Sequence, residues 1–185
     1  MVDKTSIIDG KTIQPNDLIL GLASSGLHTN GYSLARKLLF EIAGFKIHQY
    51  IDELQTNAAD VLLVPHKNYN LPVHALLKQS VPIHGMAHIT GGGLLGNIPR
   101  ILPANTSALI NKKSLIPPAL FQLLQNIGHL TTEESYKTFN MGIGFILVIP
   151  EFYLTKIETI MTQFSDYPIS VIGEIISGKQ EVILT

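Results

Sequence analysis

Two polar glycine loops and a scatter of histidines hold the residue types that can do chemistry in this sequence. His28 stands among Ser24, Ser25, Gly26, Thr29 and Asn30. An imidazole there can donate or accept a proton near neutral pH, where few other side chains can, or it can simply satisfy a backbone carbonyl. The second loop, Thr90-Gly91-Gly92-Gly93, follows His88. Glycine between strand and helix lets the backbone approach a ligand, and the N–H groups at a helix start favour an anion, so both loops suit phosphate. Neither matches G-x-x-x-x-G-K-[ST] or G-x-G-x-x-G, and a tight strand-to-helix connection accounts for a bare triple glycine equally well. His84 and His88 would share a face of a helix, but in a strand their spacing is about 13 Å, too far for one ion. Pro82, Gly85 and the glycines beyond favour the strand, so chelation by this pair is not expected, although His88 lies near enough to the loop to touch a ligand. His48, His66, His74 and His129 show no convincing ligand spacing. Asn140-Met141-Gly142-Ile143-Gly144 leads into an apolar strand, where Asn140 can hydrogen-bond a ligand or the glycines can mark a bulge. No carboxylate pair, Ser-His-Asp spacing or acidic metal cluster stands out, and no metal site is expected.

The elements that must position these loops follow from periodicity. Residues 18–23 form a short apolar run, read as a buried strand. Beyond the first loop, Leu34, Leu38, Leu39 and Ile42 recur at helical spacing up to Gly44. Residues 57–64 and 69–79 read as helical segments interrupted near Pro65. Residues 83–89 read as a strand, and 94–102 as a helix kinked or ended near Pro99. Then come a strand at 107–111, a helix at 118–127, a helix or turn at 131–138, a buried strand at 144–149 and a helix at 151–164. Strands at 169–176 and 181–184, around Ser177-Gly178-Lys179, read as a terminal hairpin. The fold class expected is α+β, a layered domain with a mixed β-sheet and packed helices.

Composition bounds the function. The 185 residues include 13 basic and 14 acidic ones, for a net charge of −1, which argues against nucleic acid as a partner. Residues 1–185 are expected to form a single domain. Charged residues are 15% of the chain, against about 25% in typical soluble domains, which suggests that another domain or subunit covers part of the surface. No cysteine is present, which excludes disulfides, thiolate zinc sites and a cysteine nucleophile. The start shows no basic and apolar leader, and no apolar run reaches the about 18 residues of a membrane span, so a cytoplasmic protein without a membrane partner is expected.

Five ordered blocks strongly resemble the C-terminal domain of the phosphoribosylformylglycinamidine cyclo-ligase (aminoimidazole ribonucleotide synthetase) family: Ile7 to Gly10, Ser24 to Leu34, His88 to Leu95, Asn97 to Pro103 and Thr138 to Gly144. The resemblance spans essentially the whole chain. It implies a part in purine biosynthesis, in an enzyme that closes the imidazole ring of formylglycinamidine ribonucleotide with ATP. In that family the formyl oxygen is thought to be activated by phosphorylation before an amidine nitrogen attacks. It further implies that an N-terminal domain, absent here, binds most of the ATP and Mg2+ and makes the main contact of a homodimer, so that the isolated chain is inactive; the first residues look like the inter-domain junction. His28 becomes the catalytic candidate. Ser24, Ser25, Gly26, Asn30, His88, Thr90, Gly91, Gly92, Gly93 and Asn140 become candidates for binding substrate or its phosphate.

The chain departs from the family pattern at two places. Pro65-His66-Lys67-Asn68-Tyr69 replaces a usual Pro-Thr-Arg-Ile-Tyr, and Gly96 stands where Glu is typical. Lys67 keeps the charge of Arg without its bidentate fork. Two other readings stay open: a stand-alone binding or regulatory module with an anion pocket, and another ATP-using superfamily member such as selenophosphate synthetase or thiamine-monophosphate kinase.

Overall fold

Leu18 to Ala23 and Ile143 to Ile149 lack a polar face because both sides of their strands are covered. In the computed structural model, which describes residues 6–185, Ile19, Ile146 and Val148 join one buried cluster, while Leu20, Leu22, Leu147 and Ile149 join another. Since side chains alternate along a strand, the two clusters are the two faces of one sheet. The strands are β1 (Asp17–Ala23), β2 (Tyr50–Ile51), β3 (Thr56–Asn57), β4 (Gly85–His88), β5 (Thr106–Ile110), β6 (Ile143–Pro150), β7 (Ile169–Ser177) and β8 (Val182–Leu184). Six of them form a sheet in the order β4-β6-β1-β7-β5-β8, and β2 and β3 form a separate ribbon. The sheet is mixed, as expected: β8 runs parallel to β5, and the other neighbours are antiparallel.

The helices are α1 (Tyr32–Arg36), α2 (Ala58–Leu62), α3 (Asn70–Lys78), α4 (Gly93–Asn97), α5 (Ala119–Gly128), α6 (Thr132–Thr138) and α7 (Leu154–Met161). Val73 and Leu76 of α3 and Ile157, Ile160 and Met161 of α7 cover one face of the sheet. Residues of α1, α2, α4, α5 and α6 cover the other, with Phe121 and Phe139 fully buried among them. Helix α1 continues as a wider π turn over Lys37–Ile42 and stops before Gly44. The segment at 131–138 is a helix because Thr131 and Glu134 form a reciprocal capping box, which satisfies two amides at its start.

The expected terminal hairpin does not form. Both edges of β7 are taken, by β1 and by β5. The chain after Ser177 instead crosses the start of β5: Gly178 N–H bonds Asn105 O, Lys179 N–H bonds Ser107 Oγ and Gln180 N–H bonds Thr106 O. Val182 and Leu184 thereby pack beside the core on the far side of β5. The junction-like residues 1–5 lie outside the described residues. No described helix is long and apolar enough to cross a membrane.

Candidate functional site

Three sequence blocks far apart in the chain meet at one end of the central strands. Asn140 clasps the first loop: its Oδ1 accepts from Ser24 Oγ at 3.0 Å and from Gly142 N–H at 2.9 Å, and its Nδ2 donates to Gly26 O at 2.8 Å. The second loop touches the first, since a Cβ on Gly91 would stand 3.6 Å from Asn30 Oδ1. Asn97 pins the glycine loop from within, with Nδ2 facing the carbonyls of Thr90, Gly91 and Gly93 at 2.8–3.2 Å and Oδ1 accepting from Thr90 Oγ1. Asn140 and Thr90 therefore spend their polar atoms on holding the loops. Asn140→Ala should cost about 1–3 kcal/mol, the range for leaving one buried backbone group, Gly142 N–H, unpaired, with the part-buried Gly26 carbonyl adding less. Urea denaturation of the variant against the parent checks this, and a loss within measurement error would mean that solvent reaches those groups.

Three of the loop amides bond within the protein. Ser24 N–H donates to Gly142 O, Ser25 N–H to His28 Nε2 at 3.1 Å, and Gly93 N–H to Thr90 O. These three amides are committed within the protein, so an anion at either loop would have to use the remaining N–H groups, those of Gly26, Gly91 and Gly92.

His28 is 4% exposed and sits in the left-handed region at φ 58°. Its Nε2 accepts the Ser25 amide, so the neutral ring carries its proton on Nδ1. That Nδ1 and Asn30 Nδ2 are buried without a hydrogen-bond partner among the described residues. Burial, followed by the neighbouring His66, His88 and Lys67, pushes the His28 pKa down to about 4. The ring is neutral at physiological pH and offers a donor.

Two further imidazoles join it. His28 and His66 have ring centroids 3.9 Å apart, and His66 Nε2 lies 2.9 Å from His88 Nε2. His84, by contrast, bonds Asp17 Oδ2 through Nδ1 at 2.7 Å and takes no part. Tyr69 stacks on Phe145 and donates its hydroxyl to Ala23 O at 2.9 Å; burial holds that hydroxyl well above its ordinary pKa. Gly144 is required here, because a Cβ would collide with the Tyr69 hydroxyl and the His28 ring. His66 and His88 face a cleft of about 710 Å³ walled by Tyr69, Val73, Leu77, Met86 and Phe145.

The family model described as AIR synthase related protein, C-terminal domain, matches residues 14–185. This chain belongs to that family. It is 44% identical over 183 residues to the phosphoribosylformylglycinamidine cyclo-ligase of Thermodesulfovibrio yellowstonii, over 99% of this chain and 53% of the relative. It is 46% identical to the cyclo-ligase of Syntrophotalea carbinolica, over 98% of this chain and 51% of that protein. The chain thus spans about half the length of the curated relatives it matches. Among solved structures, thiamine-monophosphate kinase from Stenotrophomonas maltophilia K279a aligns with a TM-score of 0.64 at 16% identity, over 99% of this chain and 54% of the kinase. Hydrogenase maturation protein HypE in complex with ATP gives 0.60 at 18% identity, over 95% of this chain and 49% of HypE. At such identities they show the AIR-synthase-like fold, a mixed six-stranded sheet packed with helices.

Two residues of the site escaped the sequence argument. Asn97 is visible in the sequence only as a member of a resemblance block, with nothing to mark its grip on the glycine loop. His66 lies far from His28 and His88 in the chain, and its one signal is the departure from threonine in the Pro65 to Tyr69 block. Lys67, in the same block, donates to Asp166 O at 2.6 Å, and burial lowers its pKa. Gly96, the other departure, has open space around its Cβ position among the described residues, so no steric demand explains a glycine there.

Proposed function

We propose that this chain is the C-terminal, substrate-binding half of a phosphoribosylformylglycinamidine cyclo-ligase, which converts formylglycinamidine ribonucleotide and ATP to aminoimidazole ribonucleotide, ADP and phosphate. Identity of 44–46% over nearly the whole chain to cyclo-ligases supports the reading. The single observation that carries it at the site is the pair of buried, unpartnered donors in the first loop, His28 Nδ1–H and Asn30 Nδ2. A substrate carbonyl or phosphate oxygen is the kind of acceptor that such donors lack. His28 then orients the formyl end of the substrate as a neutral donor, with Asn30 beside it. Gly91, Gly92 and Gly93 supply a surface without side-chain bulk along which the ribose phosphate can lie. Ser24, Ser25, Gly26, Thr90 and Asn140 hold that surface in shape, and His88 borders it.

ATP supplies the phosphoryl group that activates the formyl oxygen. Among the described residues no carboxylates gather into a cluster fit for Mg2+, so the nucleotide and its magnesium are assigned to an N-terminal domain, which also carries the homodimer contact. A cytoplasmic location goes with this reading. The test joins the chain to a cyclo-ligase N-terminal domain and measures ATP-dependent ring closure for the joined and the isolated proteins. The joined protein is expected to turn over and the 185-residue chain alone to show none. Turnover by the isolated chain, or a folded joined protein without activity, overturns the proposal.

A further inference from the structure

His28, His66 and His88 each place one ring nitrogen within 4.8 Å of the corresponding atoms of the other two. In a tetrahedral zinc site with metal–nitrogen bonds of about 2.0–2.1 Å, the ligand atoms lie about 3.3 Å apart. The His66–His88 separation of 2.9 Å already falls near that value. Both side chains are exposed and so free to adjust, whereas His28 is anchored in the core.

The tautomers suit ligation. His66 Nδ1 lies 2.7 Å from Lys67 O. A carbonyl only accepts, so Nδ1 carries the proton and the Nε2 lone pair is left facing His88. A backbone carbonyl on the second ring nitrogen is the partner that orients metal-bound histidines and fixes their tautomer. The metal-free contact between the two rings is then an N–H of His88 donating to His66, and His88 becomes a ligand by moving that proton to its other nitrogen. His28 ligates at the expense of the Ser25 amide bond to its Nε2.

We propose that His28, His66 and His88 form a binding site for a borderline divalent transition metal, of which Zn2+ is the representative, with a fourth position open to the cleft. Three neutral imidazoles without a carboxylate suit zinc, nickel or copper and not magnesium or calcium, which take oxygen ligands. Three protein ligands with an open position is the arrangement of zinc sites that bind a water or a substrate atom. The Lys67 ammonium opposes a cation here, but it is bound to the Asp166 carbonyl. This inference shares His28 and His88 with the ligase reading and rests on none of it.

Titration of Co2+ into the 185-residue chain, followed by visible absorption, tests the site independently of turnover, with Zn2+ then displacing the cobalt. The expected result is one equivalent of Co2+ giving the intense bands of a four-coordinate ion. The Ser25 amide resonance should shift as its bond to His28 is lost. His66→Thr, at an exposed position and bearing the residue usual in the family, should weaken binding about 100-fold or more, because even outer-shell partners are worth 10–100-fold. His48→Gln, on an exposed histidine outside the cluster, should leave binding unchanged. Equal affinity for the parent and a folded His66→Thr variant overturns the proposal. So does a weak, six-coordinate cobalt spectrum, or binding that disappears with His48→Gln.

Discussion

Replacing His28 by alanine in the joined two-domain protein should lower single-turnover ring closure by about 100-fold or more, the size of effect seen when a positioned donor or acid is removed from a reacting oxygen. The structure supplies the reason: Nδ1–H is buried, unpartnered among the described residues and attached to a ring that burial keeps neutral. His28 is also a buried ring on left-handed backbone at φ 58°, so its removal leaves a cavity at a backbone that already strains any residue with a Cβ by about 1–2 kcal/mol. Stability and turnover must therefore be measured on the same preparations. Asparagine tolerates that backbone better and carries an amide donor, so His28→Asn should recover part of the rate if His28 positions the substrate. A histidine that only fills the loop predicts the opposite, with lower melting temperatures and near-normal chemistry in the molecules that remain folded. Near-normal single-turnover rates in both variants would remove His28 from the mechanism.

Gly93→Ala should destabilise the protein by about 3 kcal/mol or more, the sum of a left-handed backbone penalty and an overpacked contact. Gly93 has φ 59°, and a Cβ there would run into the carbonyl oxygens of Tyr136 and Phe139. The backbone of α6 and the residue after it cannot retreat, because Phe139 is fully buried and the Thr131–Glu134 capping box sets the start of that helix. Gly96, three residues further along, is the control. It lies in α4 with open space around it among the described residues, so Gly96→Ala should gain about 0.5–1 kcal/mol from helix entropy alone. Chemical denaturation with a common m-value reads both changes. If the two substitutions had the same sign, the close packing of α6 on the glycine loop would not be what requires Gly93.

Much of the frame was legible because the signals are local. The apolar runs of β1 and β6, the glycine loops before α1 and α4, and the helical spacing of α3, α5 and α7 are each set within one stretch of chain. The α+β class with a mixed sheet follows from them, and the five resemblance blocks identified the family. Asn140 was legible as important and illegible in its role. Its type and place marked a polar group entering an apolar strand, while two of its three partners, Ser24 and Gly26, lie more than a hundred residues away.

The terminal strands show the limit of local reasoning. The residues from Ile169 to Leu184 read as a hairpin, since two apolar stretches flank a short polar turn. Whether they pair depends on which strands already occupy the two edges of β7, and that is settled by β1 and β5, both distant in sequence. The loop amides follow the same rule. Which N–H groups of a glycine loop stay free depends on what else in the fold claims them, and here Gly142 O, His28 Nε2 and Thr90 O take those of Ser24, Ser25 and Gly93.

The sequence by itself determined the main strands and helices of the large sheet and its cover, which loops carry the polar residues, and the family to which the chain belongs, because periodicity and motif order are properties of neighbouring residues; the β2–β3 ribbon and several element ends it did not show. Folding decided that His66 joins His28 and His88, that the Ser25 amide is spent on an imidazole, and that His28 keeps its proton on a buried Nδ1. Those facts depend on distances between residues that only sheet pairing and helix packing bring together, and on burial, which no single stretch of chain possesses before the core closes around it.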